Sequence, residues 1–369
     1  MNEPIFIARQ DTLEQEILPA HWLAQYKLFG EESYTFQDKE IWKKLCMSSA
    51  AANDRDMHAE ALEEMLTTFS AEHTGKWMLL IYGLDEAVLE GLATMAAIAA
   101  NGTAMAAVAG NALLMHAITN SQTAMRAITN SQTAMRAIAN SQTAMQRIAN
   151  STTAMDAIGG SKIARDAVQA SPYYDAKIKE NDMAIAKLVV GFANLESARY
   201  SGCAGMAADS TAMTAVAASS TAMTAVAASG VALKAIAQAY KKTANMLQFL
   251  KAVNASDTLV KRIYSTLTNA TALFGATQLG SQDRVENANS WATTSAAPNA
   301  FLACACGYCG SSSDSVSVTY NGTVIAQKKT GTKQPGSVAS TNVNAITMAP
   351  STFTENGDGY LAVQKFTAK

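Results

Sequence analysis

Charge is scarce in this chain of 369 residues. Asp, Glu, Lys and Arg make up 16% of it, where about 25% is usual for a soluble domain, and none of the four occurs between Gly91 and Met125. With 28 basic against 30 acidic residues the net charge is -2. The chain therefore has no excess of positive charge with which to displace counterions from phosphates, and no nucleic-acid partner is expected. Cysteine is limited to Cys46, Cys203, Cys304, Cys306 and Cys309. The opening residues MNEPIFIARQDTLEQEILPAHW contain no basic stretch followed by an apolar one, so no secretion signal is expected. Assembly in a cytoplasm follows, and the cysteines read as thiols and not as a disulfide framework.

The usual signatures of catalysis are missing as well. There is no phosphate loop, no H-E-x-x-H and no G-x-S-x-G. His21, His58, His73 and His116 are scattered, with no nucleophile in a recognisable setting. The expectation is a protein that is not an enzyme, without catalytic, cofactor-binding or metal residues and without a cofactor. Cys304, Cys306 and Cys309 form C-x-C-x-x-C, but a zinc site usually draws on four ligands, and no second pair or nearby histidine exists. Small buried thiols in a strand are the preferred reading. Asp54 and His58 would share a helix face, yet no third ligand lies nearby, and Asp in a first helical turn complements the helix dipole without any metal.

The uncharged run from Gly91 to Met125 exceeds the ~20 apolar residues that span a bilayer. Asn101, Asn111, Asn120, Ser121 and Gln122 interrupt it, and its apolar side chains are mostly Ala, where a membrane helix favours Leu, Ile and Phe. A buried subunit interface explains the run better.

What is present is repetition. TNSQTAMRAI occurs twice in succession from Thr119 to Ile138, and STAMTAVAAS twice from Ser210 to Ser229. Met105, Met115, Met125, Met135, Met145 and Met155 recur every ten residues, followed three residues later by Val108, Ile118, Ile128, Ile138, Ile148 and Ile158. Met213, Val216, Met223 and Val226 repeat the pattern in the second array. On one continuous helix the spacing Met125, Ile128, Gln132, Met135 is three, four, three, about 3.3 residues per turn, a stammer that overwinds a coiled coil. Such a seam cannot bury itself in a single helix. It requires partner helices, from other copies or folded back from the same chain. The sixteen Met, Val and Ile positions just named are the expected oligomer interface.

A second geometry takes the poor helix formers TNSQT at face value. Asn would end each short helix in a left-handed conformation, Ser would cap the next, and the short helices would stack into a solenoid. Continuous helices are the favoured alternative, and sixty residues of them would reach ~90 Å.

Around the arrays the composition changes. Residues 1–90 hold Trp22, Trp42 and Trp77, three of the chain's four tryptophans, and helical spacing of Met57, Leu62, Met65, Leu66 and Phe69 behind Asn53 as N-cap. They read as a globular helical domain. Residues 91–160 read as a helical shaft, 161–275 as a helical segment with the second array, 276–300 as a polar linker, and 301–369 as a small β domain. Gly159-Gly160 and Ser171-Pro172 are expected helix breaks. YYDAKIKENDMAIAKLVVGFANLESARY reads as one amphipathic helix, and another is expected from Ala237 to about Phe274. SVSVTYNGTVIAQKK alternates on both sides of Asn321-Gly322, a strong hairpin signal, and YLAVQKF reads as a last strand. The fold class is therefore mainly α with a small C-terminal β domain.

The decads TAMRAI, TAMQRI, TAMDAI and TAMTAV resemble the Ala-rich T-A-M-x-A-[IV] repeats of virion structural and fibre-like proteins of tailed bacteriophages. The likeness covers roughly residues 101–158 and 210–237, under a third of the chain. It implies a non-enzymatic virion protein, commonly a homotrimer, made in the host cytoplasm. Its N-terminal part would dock to other virion proteins, and its C-terminal β domain would face a host-surface receptor or cap the shaft. The alternative is an ejected virion protein whose Ala-rich helices form a membrane conduit, motivated by the uncharged run. A polysaccharide-cleaving spike lacks the acidic pair such chemistry needs.

Overall fold

The computed structural model describes residues 92, 95–239, 243–269, 276–278, 290–293, 300–309, 315–329, 343–348, 350–356 and 359–367. The expected N-terminal domain of residues 1–90, with its tryptophans, Asn53, Asp54, His58 and Cys46, lies outside them. Sixteen helices and a C-terminal group of antiparallel strands make up the described part, so the fold class is mainly α with a small C-terminal β domain. The chain divides into two compact units at Ile178/Lys179, and not at the boundaries expected from composition.

In the first unit each decad is one short helix: α1 (Met95–Ala100), α2 (Gly102–Gly110), α3 (Ala112–Asn120), α4 (Gln122–Thr129), α5 (Gln132–Ala139), α6 (Gln142–Asn150), α7 (Thr152–Gly160) and α8 (Lys162–Gln169), closed by the single turn α9 (Tyr174–Lys177). The continuous shaft is thus replaced by its rival. Helix α2 and the helical part of the next decad bend by 100°, and every helix packs on the third one after it: α1 on α4, α2 on α5, α3 on α6, α4 on α7, α5 on α8. Three decads make one coil of a three-sided solenoid. Stacked helices lie about 8–10 Å apart, so thirty residues advance by that amount and not by the ~45 Å of a continuous helix.

The break occupies one residue. Ser131 is extended (φ -105°, ψ 116°) between two helices, while Asn130 before it is still right-handed (φ -88°, ψ -7°). Asn140 is right-handed too, so the left-handed asparagine that the sequence suggested does not form at either corner. Nothing on the corner backbone is wasted. The Ser131 N–H donates to the Ile128 carbonyl at 3.0 Å, and the Ser131 carbonyl accepts from the Met135 N–H at 3.0 Å. Gly159 and Gly160, expected to break a helix, lie inside α7, and the chain turns only at Ser161, the corner position of the decad.

The second unit continues the pattern in modified form: α10 (Asp182–Phe192), a 3-10 turn (Ser197–Arg199), α11 (Cys203–Ala208), α12 (Ser210–Ala218), α13 (Ser220–Ala228), α14 (Gly230–Gln238), α15 (Thr243–Asn254) and α16 (Asp257–Asn269). Helices α10, α13 and α16 stack, as do α11 with α14 and α12 with α15. The single helix expected from Tyr173 to Tyr200 is cut where Asn181 caps α10 and where Asn194 turns left-handed (φ 57°). The helix expected from Ala237 is likewise divided, into α15 and α16, with Ser256 between them.

The strands are β1 (Ala276–Gln278), β2 (Ser290–Thr293), β3 (Ala300–Cys309), β4 (Ser315–Tyr320), β5 (Thr323–Lys329), β6 (Val343–Met348), β7 (Ser351–Asn356) and β8 (Gly359–Thr367). They form two antiparallel sheets, ordered β1-β8-β3-β6 and β2-β7-β4-β5. Residues 276–300, expected as a linker, supply β1 and β2. The hairpin lies where expected: Tyr320 pairs with Thr323, and Asn321 (φ 47°) and Gly322 (φ 76°) take the positive φ that a type I′ turn requires. The expected last strand is β8, and it sits centrally, between β1 and β3.

Candidate functional site: the stacked corners and their core

Each side from α2 to α7 presents four positions inward. In the decad of α5 these are Ala134, Met135, Ile138 and Ala139, and in that of α6 Ala144, Met145, Ile148 and Ala149. Positions two and six, such as Gln132 and Arg136, face outward. The sixteen residues expected at an oligomer interface all lie inside the chain's own coils: Met213 is 1% exposed and the other fifteen 0%. The expected interface is corrected accordingly. Bending the chain at each serine lets one molecule cover its own seam, and burying each Met and Ile contributes about 1.5–3 kcal/mol.

The corners carry the most regular chemistry. Each corner serine Oγ accepts the N–H of the third residue of its own helix: Ser131 from Ala134 at 3.2 Å, Ser141 from Ala144 at 3.2 Å, Ser151 from Ala154 at 3.1 Å. The same hydroxyl donates to a carbonyl on the adjacent coil. Ser131 reaches Ala99 O and Ser141 reaches Ala109 O at 2.5 Å; Ser151 reaches Thr119 O and Ser161 reaches Thr129 O at 2.6 Å; Ser171 reaches Ala139 O at 2.5 Å. Every one of these spans 32 positions. One hydroxyl thus satisfies an orphan donor at a helix N-terminus and an orphan acceptor at a C-terminus stacked on it. The caps were visible in the sequence. The second bond was not, because its acceptor is fixed only once three decads close a coil.

The outer faces vary. Between α2 and α5 lies a groove of about 460 Å³, lined by Gly102, Ala106, Gly110, Thr133, Arg136, Ala137, Asn140 and Ser141. It exists because α2 carries Gly, Ala and Gly where α5 carries Gln132, Arg136 and Asn140. On another side the Arg147 guanidinium lies 3.4 Å from His116 Nδ1, and Lys177 Nζ donates to Gln146 Oε1 at 2.7 Å.

At the end of the first array Arg165 takes the place of the core methionine. It is 8% exposed and donates to the Gly159 carbonyl at 2.6 Å. Burial holds its guanidinium below the ordinary value, against the opposing charge of Asp166.

In the second unit acidic side chains join Asn181, Ser219, Ser229 and Ser256 in holding helix N-termini. Both carboxylate oxygens of Glu180 accept from the start of α14, from Gly230 N–H and Val231 N–H at 3.1 Å each. Asp209 accepts from Thr211 N–H at 2.7 Å, Ala212 N–H at 3.3 Å and the Tyr200 hydroxyl at 2.8 Å. The Tyr200 bond, with the two backbone donors, holds the Asp209 carboxyl below the usual range. Asp182 accepts the Cys203 N–H at 3.0 Å. Burial, then the nearby Asp182, pushes the Cys203 thiol well above the usual range, which makes it an inert core group.

Cys304 and Cys306 lie on β3, opposite Val363 and Leu361 of β8, and an irregularity separates them from Cys309, which pairs with Gly359. Among the described residues no group of three or more His, Cys, Asp or Glu is placed to hold a metal ion. No single described helix is long and apolar enough to cross a membrane; two pairs reach that length together, each bent by 100° or more. No protein-family model matches this chain, and no curated protein sequence matches it.

Proposed function

We propose that this chain is a non-enzymatic structural protein of a tailed-phage virion, a fibre-like appendage. The decads are its self-supporting spacer, and the C-terminal β sheets are its surface for a host receptor or for capping the spacer. The observation that carries the proposal is the corner ladder. Ser131, Ser141, Ser151 and Ser161 repeat one pair of bonds around a core of recurring Ala, Met and Ile, and Ser171 repeats the inter-coil bond. That is an investment in one shape made many times, where an active site needs unlike groups converging on one point. The phage-like decads supply the context. Docking to other virion proteins is assigned to residues 1–90, and assembly to the host cytoplasm.

Two features of the sequence-based picture are not carried forward. The seam is covered within one chain, so it provides no reason for a homotrimer. The array is also short for its residue count, so it positions the parts at its ends more than it separates them. Proteomics of gradient-purified particles tests the assignment: the protein should copurify with the capsid and tail proteins at a fixed copy number. Its absence from washed particles would overturn the assignment, and recovery of the purified chain with floated liposomes would favour the membrane conduit instead.

A further inference from the structure

The five corner bonds have one sequence separation, 32, whichever side of the coil they join. The four inward positions are also the same on every side from α4 to α7. A side is therefore defined by its place in the decad and not by which face of the coil it occupies. We propose that the first array is a stepwise spacer: it gains or loses whole decads without rebuilding its core, each step moving the point where the chain leaves the array by one side of the coil. This deepens the spacer role proposed above. It rests on that role for the meaning of length, and on the coil geometry alone for the step.

The consequences can be traced atom by atom for the loss of Ser131–Asn140. Ser141 then arrives at the corner that Ser131 held, and its hydroxyl meets the Ala99 carbonyl. Ser151, Ser161 and Ser171 meet Ala109, Thr119 and Thr129 in turn. The Ala139 carbonyl leaves with the deleted decad, so four bonds replace five and no corner group is orphaned. Met145 and Ile148 enter the core places of Met135 and Ile138. What changes is the outer face, where neighbours across the cut are now four former decads apart in place of three. Each decad advances the coil by about 3 Å, a third of the stacking distance, against ~15 Å for ten residues of continuous helix. Length is thereby set in fine steps that also select an azimuth.

A five-residue loss has the opposite outcome. It moves the extended serine into mid-helix and carries Asn140 and Thr143 into the places of Met135 and Ile138, leaving buried polar groups without partners.

Cross-linking the full-length chain decides the matter. A Cβ on Gly102 would lie 3.6 Å from Thr133 Cγ2 on the next coil, so cysteines at these two positions put their side chains in van der Waals contact, where a disulfide can form. In the parent, G102C/T133C should oxidise to a disulfide found by peptide mapping, and G102C/T143C should not. In the chain lacking residues 131–140, G102C/T143C should now form the disulfide, with helicity by circular dichroism kept in proportion to length. A chain lacking 131–135 serves as control and should lose cooperative unfolding. Failure of the decad-deleted chain to fold, or a folded one in which the two introduced thiols stay apart, overturns the stepwise reading. Either result leaves the virion assignment standing, since that is read from particles and not from register.

Discussion

The side-chain amide of Asn254 grips Ile346 by both of its backbone groups. Asn254 Oδ1 accepts the Ile346 N–H at 2.9 Å, and Nδ2 donates to the Ile346 carbonyl at 2.8 Å and to Leu250 O at 2.8 Å. Ile346 belongs to β6, the edge strand of its sheet, whose other side pairs with β3. The last residue of α15 thus does for an exposed strand edge what a neighbouring strand would do. Four successive residues of β6, Ala345 to Met348, are buried, so these two backbone groups have no water to turn to. Replacing Asn254 with Ala should destabilise the second unit by about 2–4 kcal/mol, the cost of two buried groups left unpaired. Asn254→Asp should do no better, since it loses the donor and sets a carboxylate against a carbonyl. Hydrogen exchange at the Ile346 amide, alongside urea denaturation, reads the effect directly.

The corner serines make a parallel case in the first unit. Ser141→Ala removes a cap and an inter-coil bond at once, and should cost about 1–3 kcal/mol. The loss should show as faster exchange at Ala144 N–H, which Ser141 Oγ now holds at 3.2 Å. Unchanged protection there would mean that the hydroxyl contributes nothing to the corner.

Much of this was legible in the decads. The inward Met and Ile, the capping serines, the Asn321-Gly322 hairpin and the overall class follow from spacing and turn chemistry. The choice between one long helix and many short ones did not. A spacing of three and four residues keeps Met125, Ile128 and Gln132 on one face of a continuous helix, and it serves a broken one equally well. What decides is closure: Ser131 finds Ala99 only after three sides return the chain to its own start, and no local window contains both residues. The charged caps were hidden for the same reason, since Glu180 meets Gly230 fifty positions away. The linker reading failed because β1 and β2 pair with β8 and β7, far along the chain.

With the seam inside one molecule, a core charge acts on folding before it acts on assembly. Met135→Ala should cost about 2–5 kcal/mol, and Met135→Asp should abolish cooperative melting of the first unit. Light scattering coupled to size exclusion separates the two views. Loss of helicity with rising hydrodynamic radius at unchanged mass supports an internal core, whereas dissociation of an intact oligomer into folded monomers would restore the interface.

Gly202 offers a test of packing in the second unit. A Cβ there would stand 2.2 Å from Asp182 Oδ2, and the carboxylate is tied to the Cys203 N–H at 3.0 Å. Its φ of -179° is ordinary extended backbone, so the constraint is space alone. Gly202→Ala should destabilise by about 1–3 kcal/mol. Asp182→Ala should cost stability by itself but remove most of the further penalty of Gly202→Ala. A double-mutant cycle showing simple additivity would refute the contact.

Asp209 and Tyr200 give the second unit a pH response with two edges. The Asp209 carboxyl is held below its ordinary 3.8, chiefly by the Tyr200 hydroxyl. Its contribution to stability is therefore complete above that value and fades as the pH falls through the lower folded-state value. Tyr200 is shifted the other way, above its ordinary 10.0, by burial first and then by the same bond. Its contribution is present below 10.0 and is lost as the pH rises through the raised value. Removing the shared bond should flatten both edges together. Tyr200→Phe should make the protein less sensitive to acid below about pH 4 and remove the tyrosinate signal of a late-titrating group at alkaline pH, a pair of effects that thermal melts and ultraviolet titration read independently. If Tyr200→Phe left the acid limb of the stability profile as steep as in the parent, the depression of Asp209 would have to come from the α12 backbone donors alone, and the hydroxyl would have no part in it.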